Sequence, residues 1–144
     1  MNKQRLLTEI FSLTNSARNF RIWMEARANQ YADSFSKIGG TRADLINRFM
    51  DVGLTKFPDW ISRVTKIYSQ ELTDAEVKLL HEELLLQREK YGFEQDIPDE
   101  AFSKESAAVL KKILSLQPKL DEAMHKLLPL IIQTTTSLIH QRHN

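Results

Sequence analysis

Apolar residues recur along the chain at helical spacing, in segments separated by polar or glycine breaks. Leu6, Leu7, Ile10, Phe11 and Leu13 fit one face of a short first helix, and the polar run Thr14-Asn15-Ser16 ends it and caps the next. Ile22, Trp23, Ala26, Tyr31, Phe35 and Ile38 predict a second, longer helix stopped by Gly39-Gly40. Thr41 is placed to cap a third, with Leu45, Ile46, Phe49 and Met50 inward and an end near Gly53. Pro58 suits the first turn of a fourth helix, where its missing N–H costs nothing; Trp60, Ile61, Val64, Ile67 and Tyr68 supply its stripe.

Thr73-Asp74-Ala75-Glu76 reads as a capping box that opens a fifth helix, with Val77, Leu80 and Leu84 facing the core and Gly92 as the stop. An acidic linker, GFEQDIPDEAF at 92–102, follows. Helical spacing resumes near Ser103 through Val109, Leu110, Ile113, Leu114 and Leu116, and Pro118 kinks or restarts it. The last segment carries Leu120, Met124, Leu127, Leu128, Ile131, Ile132, Leu138 and Ile139 around the poor helix former Thr134-Thr135-Thr136, so packing must hold that run in a helix. No alternating strand pattern interrupts this series. The fold class predicted is all-α: an irregular bundle of five to seven helices, residues 1–144 forming a single domain.

Composition agrees. Hydrophobic residues at 42% and charged residues at 27% are those of a globular chain, and four glycines with four prolines leave few breakers. No run of about twenty apolar residues is present to span a membrane. The absence of cysteine excludes disulfides, thiolate catalysis and thiolate zinc sites. The net charge of +1 conceals a contrast: residues 1–66 hold eleven basic against six acidic groups, residues 67–144 nine against thirteen. The reading is complementary packing faces. No dense basic run with interleaved aromatics points to nucleic acid, so no nucleic-acid partner is expected.

Candidate chemistry is sparse. His81-Glu82-Glu83 lacks the second histidine, four residues on, that a zinc protease helix needs, since position 85 is leucine. It reads as a solvated face, with Glu82 near Lys78 and Glu83 loosely near Lys90. His140 and His143 stand three apart, close enough to touch one ion, but no carboxylate lies near them in sequence. No nucleophile elbow, phosphate-binding loop or dinucleotide motif is present. Catalytic residues, metal ligands and cofactors are therefore all expected to be none. An enzyme would announce itself by a buried carboxylate–histidine pair in a cleft.

The segments Ile67-Tyr68-Ser69-Gln70-Glu71-Leu72-Thr73-Asp74-Ala75-Glu76 and Leu116-Gln117-Pro118-Lys119-Leu120-Asp121-Glu122-Ala123-Met124, in this order behind a short Leu-Leu helix, resemble an uncharacterised bacterial, mostly Proteobacterial, helical domain family. That resemblance implies an all-helical fold and export, with no catalytic residues to carry over. Two compartments follow: the periplasm where a leader is removed ahead of Met1, the cytoplasm otherwise.

The leading expectation is a non-enzymatic helical protein working through protein–protein contacts, with a protein partner or as a homodimer. Its interaction surface would be Leu127, Leu128, Ile131, Ile132, Leu138 and Ile139. One alternative is a carrier or sensor holding an apolar small ligand in a cavity lined by Trp23, Phe35, Phe49 and Trp60. Another is a cytoplasmic inhibitor or immunity-type protein.

Overall fold

Local capping chemistry sets most helix ends. In the computed structural model, which describes residues 2–143 apart from the side chains of residues 38, 142 and 143, helix α1 (Lys3–Leu13) opens on Asn2, whose side chain accepts from the amides of Gln4 and Arg5. Asn15 turns the chain with φ 56°, a left-handed conformation asparagine tolerates. Helix α2 (Ser16–Ser34) stops before the predicted end at Ile38. A 3-10 turn over Ser36–Ile38 follows, and Gly39 and Gly40 take positive φ behind it.

Capping boxes open both α3 (Arg42–Leu54), at Thr41 with Asp44, and α5 (Asp74–Tyr91), at Thr73 with Glu76. Each threonine hydroxyl accepts an amide N–H, and each acidic side chain reaches back to the threonine amide, satisfying two donors that a helix start leaves orphaned. Between them runs α4 (Phe57–Glu71), with Pro58 in its first turn. Gly92, at φ 73°, ends α5. The linker holds one 3-10 turn, Asp99–Ala101. Ser103 caps α6 (Lys104–Ser115), and α7 (Gln117–His143) runs for 27 residues. The fold is all-α: seven α-helices, with no strand among the described residues.

Gly53 has a different job from the one its position implied. It lies buried inside α3, one residue before the helix ends. A Cβ there would stand 2.4 Å from the Met24 sulfur. The glycine lets α3 approach α2; the chain turns on Thr55 instead, whose hydroxyl donates to the Val52 carbonyl.

Two compact units emerge from the packing. One comprises Met1–Ala17 with Ser62–Asp121, the other Arg18–Ile61 with Glu122–Asn144. The first buries Leu7, Ile10 and Phe11 of α1 and Val77, Leu80 and Leu84 of α5, with α6 laid on α5. Polar ties join its helices. Lys3 donates to the Ser69 and Leu72 carbonyls at the C-terminus of α4, 2.7 and 2.5 Å away, where a helix dipole favours a cation. Arg88 donates to carbonyls of Leu13, Gly92 and Gln95, and so clamps the end of α1 and the start of the linker to α5.

The second unit is organised by rings. Phe49 is fully buried, its ring centroid 5.1 Å from that of Tyr31, which in turn stacks on Phe35 at 4.7 Å. Phe20 meets Phe57 and Trp60. Met24, Leu45, Met124 and Ile131 complete the core.

Candidate functional site

Helix α7 has two sides of contrasting chemistry. Its inner side holds Leu127, Ile131, Thr135 and Ile139, all at most 4% exposed. Thr135 survives there because its hydroxyl donates to the Ile131 carbonyl at 2.7 Å, and Thr136 shares a 2.9 Å hydrogen bond with the Tyr31 hydroxyl. Burial raises the Tyr31 phenol above its ordinary value, against a lowering by that bond. The threonine run is thus held by packing within the chain itself.

The interaction surface expected from sequence is accordingly divided. Leu127, Ile131 and Ile139 are core, and Leu128 and Ile132 are half-buried against it; of the six, Leu138 alone is classed as exposed. A stripe of larger amplitude predicts an outer apolar remainder, but most of that amplitude is spent on the chain's own core.

What remains outside is a different set. Leu130 is 48% exposed and Leu138 40%, and exposed Gln133, Thr134, Ser137 and Gln141 lie on the same side at helical spacing. From Leu127 to Gln141 there is no Asp, Glu, Lys or Arg, about four turns of helix. Exposed positions of α2, by contrast, include Arg18, Arg21 and Glu25. Apolar periodicity drew the surface through Leu127, Leu128, Ile131, Ile132, Leu138 and Ile139 and left out Leu130; the legible signal for this face was the missing charge. Pro129 adds to it: without an N–H, it leaves the His125 carbonyl without its helical donor on the exposed side.

The four aromatics proposed for a cavity are packed. Phe49 is in the core, and Trp23, Phe35 and Trp60 are half-buried against it. The Arg27 guanidinium covers the Trp23 ring at 4.8 Å, and Phe20 covers Trp60. An open depression of about 340 Å³ in this unit is lined instead by Ala32, Asp33, Ser36, Gly40, Arg42 and Leu45. Arg42 there pairs with Asp33 and donates to Asn29 at 2.9 Å.

The stretch His81-Glu82-Glu83 is more engaged than its sequence implied. Only Glu82 is fully outside. His81 is 12% exposed and its Nε2 meets the Glu9 carboxylate of α1, which Arg5 also pairs at 3.6 Å. Glu83 turns to α6 rather than to Lys90. It accepts from the Ser103 amide, the Ser103 hydroxyl and the hydroxyl of fully buried Ser106. Burial pushes the Glu83 carboxyl up, but the hydrogen bonds from Ser106 and Ser103 outweigh it and hold it below the usual carboxylate value. Glu76, seven residues earlier on the same face, is lowered by the Thr73 amide and then by Lys112 of α6, 2.9 Å away. Glu76, His81 and Glu83 of α5 are therefore committed to holding α1 and α6. The His81–Glu9 pair sits on the α1–α5 seam, with Glu9 43% exposed.

His140 is exposed on α7, whereas His143 falls outside the described side chains. No group of three or more potential metal ligands occurs among the described residues. No described helix is long and apolar enough to cross a membrane. Comparison of the chain with protein-family models, with curated proteins and with solved structures finds no match.

Proposed function

We propose that this chain is a non-enzymatic helical module that acts through protein–protein contact, and that the outward face of α7 makes the contact. One observation carries the reading: Leu130 and Leu138 stand in solvent on a helix face without formal charge over about four turns. A solvated helix face is ordinarily charged, and the centre of a protein interface is where charge is depleted. The reactive side chains of α5 support the non-enzymatic half of the proposal, because their hydrogen-bonding capacity goes into helix–helix ties.

A photoactivatable residue placed at Leu138 in cells tests the reading. A discrete cross-linked protein adduct is expected there, and none from the same residue at Glu25 on α2. Equal or absent cross-linking at the two positions contradicts it.

A further inference from the structure

We infer that α6 is a strap: it lifts from α5 and recloses as a unit while α1 and α5 stay packed together.

Helices α1 and α6 both lie on α5, but different chemistry holds them. Of the eleven residues of α1, Leu7, Ile10, Phe11 and Leu13 are buried. Of the twelve of α6, Ser106 and Val109 are, and the first of these is a hydroxyl. Leu110 and Ile113 are half-buried, and Leu114 is 72% exposed. Apolar surface taken out of water is what makes an element costly to detach, so regions that bury little of it open first.

Polar ties to α5 supply the rest. Glu83 accepts from the Ser103 amide and from the Ser103 and Ser106 hydroxyls. Lys112 donates to Glu76 at 2.9 Å, and Gln87 donates to the Ala101 carbonyl at 2.7 Å, just ahead of the helix. These ties fix where α6 sits. Water replaces such bonds once they break, so each adds modestly to the cost of opening, the charged Glu83 cluster the most.

Both ends of α6 are uncoupled from their neighbours. Ahead of it, residues 93–96 and 98–100 of the linker are exposed. Behind it, Pro118 brings no N–H to the Leu114 carbonyl, so α6 stops at Leu116 instead of running on into α7. Leu116 is 5% exposed and anchors that end. The strap thus pivots on Leu116 with a slack linker at its other end. Lifting it bares the side of α5 on which Glu76, Leu80 and Glu83 fall at helical spacing.

The chain has no cysteine, so an introduced thiol reports without background. Val109→Cys and Ile10→Cys place one at buried positions of α6 and α1, 4% and 2% exposed. Without denaturant, Val109→Cys reacts with dithionitrobenzoate at least tenfold faster than Ile10→Cys. Its rate also rises less steeply with urea, because lifting a strap exposes less surface than unfolding the unit. Leu7→Ala, which weakens the seat of α1, speeds Ile10→Cys at least tenfold and leaves Val109→Cys within twofold. Glu83→Gln speeds Val109→Cys at least tenfold. In the wild-type chain, with no substitution, mid-helix amides of α6 are at least tenfold less protected from exchange than those of α1 and α5.

Equal rates and urea slopes for the two thiols, or a Leu7→Ala that speeds both alike, means that α6 comes away only when α1 does, and overturns the strap. So does a wild-type chain whose α6 amides are as protected as those of α1 and α5, whatever the thiols do. Unchanged Val109→Cys labelling in Glu83→Gln overturns the polar ties as what holds it shut.

Discussion

The two units of this chain solve the same problem with different chemistry. The unit built from α1, α5 and α6 joins helices through directed polar contacts: Lys3 on the end of α4, Arg88 on three carbonyls, Glu76 and Glu83 on α6, His81 on Glu9. The unit built from α2, α3 and most of α7 joins them through rings and methionines, around Phe49, Tyr31, Phe20 and Met24. Ring packing is insensitive to pH and costly to empty. Carboxylate ties are individually weaker, specific in register, and dependent on ionisation. The contrast also locates the free face: in the ring-packed unit the inner side of α7 is saturated by the core, so its outer leucines have nothing left to bury against within the chain.

The largest expected effect breaks the ring-packed side. Phe49→Ala should cost about 3–5 kcal/mol, from lost transfer energy and the cavity left beside Tyr31, as read by chemical denaturation. Gly53→Ala should also destabilise, by about 1–3 kcal/mol from overpacking on buried Met24, and the loss should shrink in a Met24→Ala background.

On the polar side, Glu83→Ala should cost about 1–3 kcal/mol, because it strands the buried Ser106 hydroxyl. The same ties predict a pH dependence within this unit. Folding lowers the Glu76 and Glu83 carboxyls, so their stabilisation is fully present above the unfolded carboxylate value and is lost as pH falls through the lowered folded value. Protection of the α6 amides, taken relative to their intrinsic exchange rates, should fall with acid in that window, and Glu76→Gln/Glu83→Gln should flatten the response. An unchanged acid profile in the double variant would contradict a role for the Glu76 and Glu83 ties in that response.

Thr73→Ala should cost about 0.5–2 kcal/mol through the lost cap. His81→Ala, silent if the histidine were solvated, should instead lose about 0.5–1.5 kcal/mol from the broken contact with Glu9. Smallest of all, Leu130→Glu/Leu138→Glu should leave thermal stability within about 0.5 kcal/mol, as surface changes do.

What was legible in the sequence was local. The cap at Thr41, the capping box at Thr73, the break within Thr14-Asn15-Ser16 and the stop at Gly92 depend on residues a few positions apart, and all stand as the pattern implied; the Asp44 half of the box at Thr41 was not read. What was illegible depends on register between distant segments. Nothing near Gly53 announces that Met24 will press on it. Glu83 sits beside Lys90 on the helix wheel, and only the docking of α6 delivers Ser103 and Ser106 to it. The α2 end was misplaced because Phe35 and Ile38 continue an apolar pattern, yet Phe35 is used to stack on Tyr31 from beyond the last helical turn. For α7, periodicity located the core side correctly and assigned it to the wrong task.

In-cell photo-cross-linking from position 133, in the wild-type background and in Leu130→Glu/Leu138→Glu, with circular dichroism on both, tests the free face of α7 most directly. The expected result is a discrete protein adduct in the wild-type background and its loss from a variant that stays equally helical. The same adduct at the same yield in both backgrounds, at the same helical content, would contradict the reading.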